Sequence, residues 1–242
     1  MRFLSVLLLT FASTTFISCH FLHNEHVHGD GNVISQNRAI TGFNSVDVSS
    51  AIELFVTQDS AYTVKVETDN NLQSFVEVYK DGDVLNVHQK NNTSLEPTGG
   101  TIKVYVTAPM FRELQASGAC TIKGTNKISS SQPLDISLSG ASQVILDVTA
   151  PNIELDLTGA SKVDLRGQTR DLSIDGSGSS DINAFDLLSE NANVNLSGAG
   201  HADVYASVKL DAHATGAANV NYKGNASVNS NTSGAGSVKK VN

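Results

Sequence analysis

An all-β protein, built as a single-stranded parallel β-helix with a strand-rich N-terminal part, is the fold class that the 242-residue sequence predicts. Three observations predict it. First, a Ser/Thr-Gly-small tripeptide recurs at Gly118, Gly140, Gly159, Gly178, Gly198, Gly216 and Gly234. That is a period of about twenty residues, the mark of stacked solenoid coils. Second, aliphatic residues alternate at period two on both sides of the tripeptide. Leu134, Ile136 and Leu138 precede Gly140 and Val144 and Leu146 follow it, and the pattern returns around Gly159 with Ile153, Leu155, Leu157, Val163 and Leu165. Such alternation gives each strand one inward and one outward face. Third, the chain holds 19 Gly but no Trp and only 6% aromatics, which favours short strands and turns over helices. A right-handed coil is favoured, because the hexapeptide repeats of left-handed coils are absent.

Residues 1–18 have the form of a signal peptide: Arg2 supplies a basic start, and Phe3 to Ile17 form an apolar run too short to span a bilayer. The run ends in Ser18-Cys19, which resembles the bacterial lipoprotein signal with Cys19 as the lipidated residue, although Phe16 stands where Leu is usual. Lipidation would leave Cys120 as the free thiol and exclude a disulfide framework. Residues 19–37 are expected to form a flexible polar tether, since they bury too little to offset chain entropy. His20, His23, His26 and His28 lie in it, and imidazole suits Zn or Cu, but no sequence feature fixes their geometry.

Residues 38–110 are expected to be N-terminal strands, from alternation in segments such as Val46-Asp47-Val48, Ile52-Glu53-Leu54 and Ile102 to Val106, with turns such as Asp81-Gly82-Asp83 between them. Val46 to Leu54 forms a degenerate repeat in which Ser50 replaces the glycine, so a relaxed or different corner is expected there. Residues 111–242 are the repeat coils, each a strand, a Gly-centred corner and another strand. Their inward residues shrink from Leu134, Ile136 and Leu138 to Val228, Ser230 and Thr232, implying a looser last coil whose edge Lys239 and Lys240 guard.

The run Gly42-Phe43-Asn44-Ser45-Val46-Asp47-Val48, then Ala51 to Leu54, Tyr62 to Val66, Asp81 to Leu85 and the Ser-Gly-Ala corners resemble the family of auto-transporter adhesin head domains of the GIN type, over residues 38–242. The resemblance implies a secreted or lipid-anchored protein with a parallel β-helix.

Outward columns carry the candidate chemistry. One reads Ser137, Asp156, Asp175, Asn195, His213, Asn231, and its neighbour Asp135, Glu154, Ser173, Asn193, Asp211, Asn229. Asp156 and Asp175 should sit one coil apart, where like charges repel. Ca²⁺ would relieve that, against the plainer reading of solvated Asp/Asn ladders. The corner hydroxyls form a ladder from Ser117 to Ser233 with no base beside any of them, so they are expected to satisfy backbone groups. Cys120 aligns with the small residues Ser142, Ser161 and Ser180 and is expected to be buried and inert.

The formal net charge of -8 argues against nucleic acid. No catalytic residue and no cofactor is expected. The leading functional reading is a lipid-anchored cell-envelope binding or adhesion-like module, on the periplasmic side of the outer membrane, because no acidic run follows Cys19. An envelope polysaccharide or protein is its expected partner. The alternatives are a structural envelope protein that self-associates through coil edges, and a carbohydrate-active enzyme using Lys162, Arg166 or Arg170 near Asp164 and Asp175.

Overall fold

The computed structural model describes residues 25–242. The expected signal peptide, Cys19, His20 and His23 lie outside the described residues. The strands are β1 (Glu25–His28), β2 (Val33–Asn37), β3 (Ser45–Ser50), β4 (Ile52–Gln58), β5 (Thr63–Asp69), β6 (Val76–Asp81), β7 (Val84–Gln89), β8 (Thr93–Glu96) and β9 (Ile102–Ala108), then β10 (Glu113–Gly118), β11 (Thr121–Gly124), β12 (Ile128–Ser129), β13 (Leu134–Leu138) and β14 (Gln143–Gly159). They continue as β15 (Lys162–Gly178), β16 (Asp181–Gly198), β17 (His201–Tyr205), β18 (Lys209–Gly216), β19 (Asn219–Lys223), β20 (Ser227–Gly234) and β21 (Ser237–Lys240). A 3-10 helix, Asn70–Phe75, joins β5 to β6. The result is a parallel β-solenoid of about six turns.

The predicted stacking holds, with one register shift in the pairing of β15 with β16, between Asp164↔Asn183 and Arg166↔Asp186. Strand β14 pairs in parallel with β15 from Gln143↔Lys162 to Gly159↔Gly178, and β15 with β16 through Gly178↔Gly198. Inward aliphatics such as Ile136, Leu155, Ile174 and Val194 form one continuous buried column. Each is fully removed from water, worth about 1.5–3 kcal/mol per large side chain.

Every corner glycine of the repeat has positive φ, between 75° at Gly140 and 100° at Gly198. A Cβ on Gly140 would stand 2.5 Å from the carbonyl oxygen of Gly118 in the coil beneath, so glycine is needed for contact as well as for conformation. The residue after each glycine donates its N–H to the previous corner, as Ala141 does to Gly118 at 2.7 Å. Ser50 departs from the expected relaxed corner: it keeps the same left-handed backbone, φ 86°. It can do so because the pairing of β3 with β7 stops at Val48↔Val87, so no corner carbonyl lies beneath it in register.

Spatial order differs from chain order at the N-terminal end. Strand β3 lies between β7 and β10, and β4 between β9 and β11. The layer of β7 and β9 is in turn covered by antiparallel neighbours, β6 on β7 and β5 on β9.

The expected tether over residues 19–37 is corrected for its described part. Strand β1 pairs in parallel with β8, and β2 pairs antiparallel with β5, from Val33↔Asp69 to Asn37↔Lys65. Backbone pairing on an open strand edge supplies the order that side-chain burial does not, since Val33 stays 51% exposed. Buried polar groups lock the segment in place. Asp69 accepts from the N–H of Gly31 at 2.8 Å and of Thr98 at 2.9 Å. Gln73 donates to the carbonyls of Ile34 and Val66, and Arg38 donates to Gln73. His28 lies 2.8 Å and His26 3.9 Å from Glu96.

At the far end inward burial fades as predicted: every residue of β20 is exposed, Val228 at 37%.

Candidate functional site: a longitudinal groove

The strand before each corner presents its outward residues in a line parallel to the solenoid axis. Asp47 pairs with Gln115, Gln115 with Ser137, Ser137 with Asp156, Asp156 with Asp175, Asp175 with Asn195, and Asn195 with His213. Beside that line run the corner hydroxyls, Thr158, Ser177, Ser197 and Thr215 in register. Between the two columns lies a trough in two sections, of about 400 Å³ around Asp175 and about 250 Å³ around Ser137, which share Asp156 and Thr158. Six spacings of about 4.8 Å between Asp47 and His213 give it a length of about 29 Å.

Among the described residues neither section is lined by Lys or Arg, and both contain carboxylates. Burial holds Asp47 above the ordinary carboxylate range, His88 opposing and Glu113 adding to the rise. Asp135, in the neighbouring column, is likewise raised by burial and by Glu113, with Arg112 opposing and Asp156 adding.

Asp156 and Asp175 are brought into register as the sequence suggested. No cluster of three His, Cys, Asp or Glu side chains is arranged to hold a metal ion among the described residues. Asp175 instead accepts a hydrogen bond from Asn195 at 3.0 Å. The amide-to-carboxylate rung repeats elsewhere, from Asn229 to Asp211 and from Asn221 to Asp203.

The side chains that satisfy the corners lie three positions beyond the expected hydroxyls. Ser142 donates to the carbonyl of Ser139 at 2.9 Å, Ser161 to Thr158 at 3.1 Å, and the Cys120 thiol to Ser117 at 3.3 Å. Of the expected ladder, Ser197 and Thr215 make such bonds, at 3.4 Å. Cys120 is buried, and burial pushes its thiol upward, against a donor from Ile52 and with Asp47 adding.

The residues weighed for catalysis are dispersed. Arg166 sits 3.5 Å from Asp147 and shares a separate cavity with Asp164, whereas Asp175 lines the groove. Arg170 bonds Asp171 at 2.7 Å within β15, away from the groove.

Sequence reasoning missed the N-terminal extension of the groove through Asp47 and Gln115: Asp47 lies in the degenerate copy before the regular repeat, and Gln115 opens the first coil, ahead of the columns from Ser137 onward. It also missed an outward stack in which Tyr105 and Phe55 lie 4.9 Å apart and nearly parallel. Lys65 stands 4.1 Å over Tyr105 and Lys123 5.8 Å over Phe55. The ring faces are therefore already covered, and the groove itself contains no aromatic lining residue among those described.

Three solved structures share the fold. An adhesin-named protein from Bacteroides fragilis is 18% identical, with a TM-score of 0.81 over 89% of this chain and 100% of that one. A similarly named protein from Parabacteroides distasonis is 23% identical, with a TM-score of 0.73 over 90% and 100%. A third, named as a lipid binding protein from the same species, is 20% identical, with a TM-score of 0.69 over 90% and 100%. No curated protein matches the chain. The family model described as "Putative auto-transporter adhesin, head GIN domain" matches residues 42–226, more than half of the sequence, and the chain belongs to that family.

Proposed function

We propose that the protein is a non-catalytic, adhesion-like module of the cell envelope that receives a linear polymer along the groove from Asp47 to His213. A lipid on Cys19 anchors it to the outer membrane, on the periplasmic side. The observation that carries the reading is the groove's continuity: the outward positions from Asp47 to His213 follow one another in register, and the hydroxyls from Thr158 to Thr215 run beside them. A rigid, repeating surface matches a repeating ligand without any moving part. Solenoids offer such extended faces because each coil repeats its neighbour's geometry. The hydroxyl ladder supports binding over turnover, since a nucleophile needs one hydroxyl set beside a base.

A glycan array probed with the full chain and with Thr158→Trp tests the reading. Thr158 is exposed and lines both groove sections, so the bulky ring should block the trough while leaving the core intact. Retention of a polymer that the variant loses is the expected outcome. Equal retention by both proteins, or by neither, removes the groove from the account. Palmitate labelling that vanishes in Cys19→Ser tests the anchor.

A further inference from the structure

We infer that the groove's ligand is a linear glycan bearing free amino groups. This rests on the groove reading above and specifies its chemistry. Both groove amides have already spent donors on neighbouring carboxylates: Asn195 donates to Asp175, and Gln115 donates to Glu113. What remains toward the trough is a surplus of acceptors, including Asp47, Asp156 and the second oxygen of Asp175. Asp156 takes part in no hydrogen bond or ion pair among the described residues, yet it stacks in register on Asp175. A cation placed between two adjacent carboxylates relieves their repulsion.

A protonated amine supplies it with few ligands. It brings up to three N–H donors and one positive charge, which Asp156, Asp175 and the hydroxyls of Thr158 and Ser177 can share. A hard metal ion takes six to eight oxygens, and among the described residues no group of three or more His, Cys, Asp or Glu is placed to anchor one. An acidic polymer meets charge of its own sign along the trough.

The polymer is a glycan and not a basic peptide because of where the backbone groups are. The groove runs across the strands, and the strand backbones beneath it are paired coil to coil. An extended peptide finds no free edge there to extend the sheet. A chain with donors on every unit does find an acceptor at every coil, about 4.8 Å apart.

Equilibrium binding of the purified full chain to four hexamers tests the inference: glucosamine, N-acetylglucosamine, a uronic acid and lysine. The glucosamine hexamer should bind at least about tenfold more tightly than the acetylated one, as charge-assisted hydrogen bonds imply. The double variant Asp156→Asn with Asp175→Asn should erase that preference while melting no lower than the parent, since it removes a repulsion. Equal affinity for the two sugars, a preference that survives the double variant, or lysine hexamer binding as tight as glucosamine overturns the inference. If both sugars bind equally and Thr158→Trp abolishes both, the groove reading stands and only the amine requirement falls. Sugar binding that survives Thr158→Trp sinks the groove reading itself.

Discussion

Asn195 donates its side-chain amide to Asp175 in the preceding coil at 3.0 Å. The same direction recurs from Asn183 to Asp164 (3.3 Å), Asn191 to Asp171 (2.7 Å), Asn221 to Asp203 (3.0 Å) and Asn229 to Asp211 (3.2 Å). In each rung the amide belongs to the later coil. Parallel stacking forces identical positions within reach of one another, so a column of carboxylates alone would repel itself. Interleaved amides convert that repulsion into a hydrogen-bonded ladder. Asn195→Asp should therefore place three carboxylates in line and lower stability by about 0.5–1 kcal/mol. Urea melts at low and high salt check this, with the loss shrinking as salt rises. A salt-independent loss would mean that packing, not charge, sets the column.

The corners give a second prediction. Gly159→Ala forces an alanine to φ 86° and places its Cβ 2.6 Å from the carbonyl of Gly140. Left-handed backbone alone costs about 1–2 kcal/mol, and the contact adds to it. Ser50→Gly at the first corner should instead be neutral or stabilising by up to about 1 kcal/mol, because it relieves only the conformation. Denaturant titrations of the two variants should move in opposite directions or leave Ser50→Gly unmoved.

The corners and columns are legible in the sequence because a solenoid repeats its local chemistry at a fixed interval. Register then follows by counting, and the column from Ser137 to Asn231 forms in the structure in the order that the repeat spacing predicts. The cap is not legible, for two physical reasons. Strands β7 and β9 lie beneath β3 and β4 although they follow them in the chain, and reversed order leaves no period to count. Residues 25–37 pair through their backbones, with side chains mostly in water, so hydrophobic alternation is silent about them. Asp69 binds that segment through backbone donors more than twenty positions away in each direction, a contact no local pattern marks.

Asp69 carries the third prediction. Burial alone would raise its carboxyl, but hydrogen bonds from Thr98 and Gly31 outweigh burial and hold it below the ordinary range. A depressed folded value means that the group stabilises the fold above its unfolded pKa, about 3.9, and that this contribution is lost as pH falls from there through the folded value. Asp69→Ala should cost about 1–3 kcal/mol near neutral pH by leaving buried N–H donors unpaired. It should also flatten the acid limb of the stability curve below pH of about 4. Hydrogen exchange should localise the loss to β1 and β2; an evenly spread loss would show that the segment does not depend on this carboxylate.

The fourth prediction concerns Cys120, which occupies the same inward column as Ser142 and Ser161 and, like them, donates to the corner carbonyl three residues earlier. Burial raises its thiol, so little thiolate forms near neutral pH and access is closed as well. Mass spectrometry after alkylation of the native chain should find Cys120 unmodified until denaturant is added. Because serine already serves this column, Cys120→Ser should keep the hydrogen bond to Ser117 and change stability by less than about 1 kcal/mol. Cys120→Leu must fit a larger side chain beside the corner backbone and should cost about 1–3 kcal/mol. If the serine variant were the less stable of the two, the column would be selected for apolar volume, and the thiol's hydrogen bond would contribute nothing to the corner.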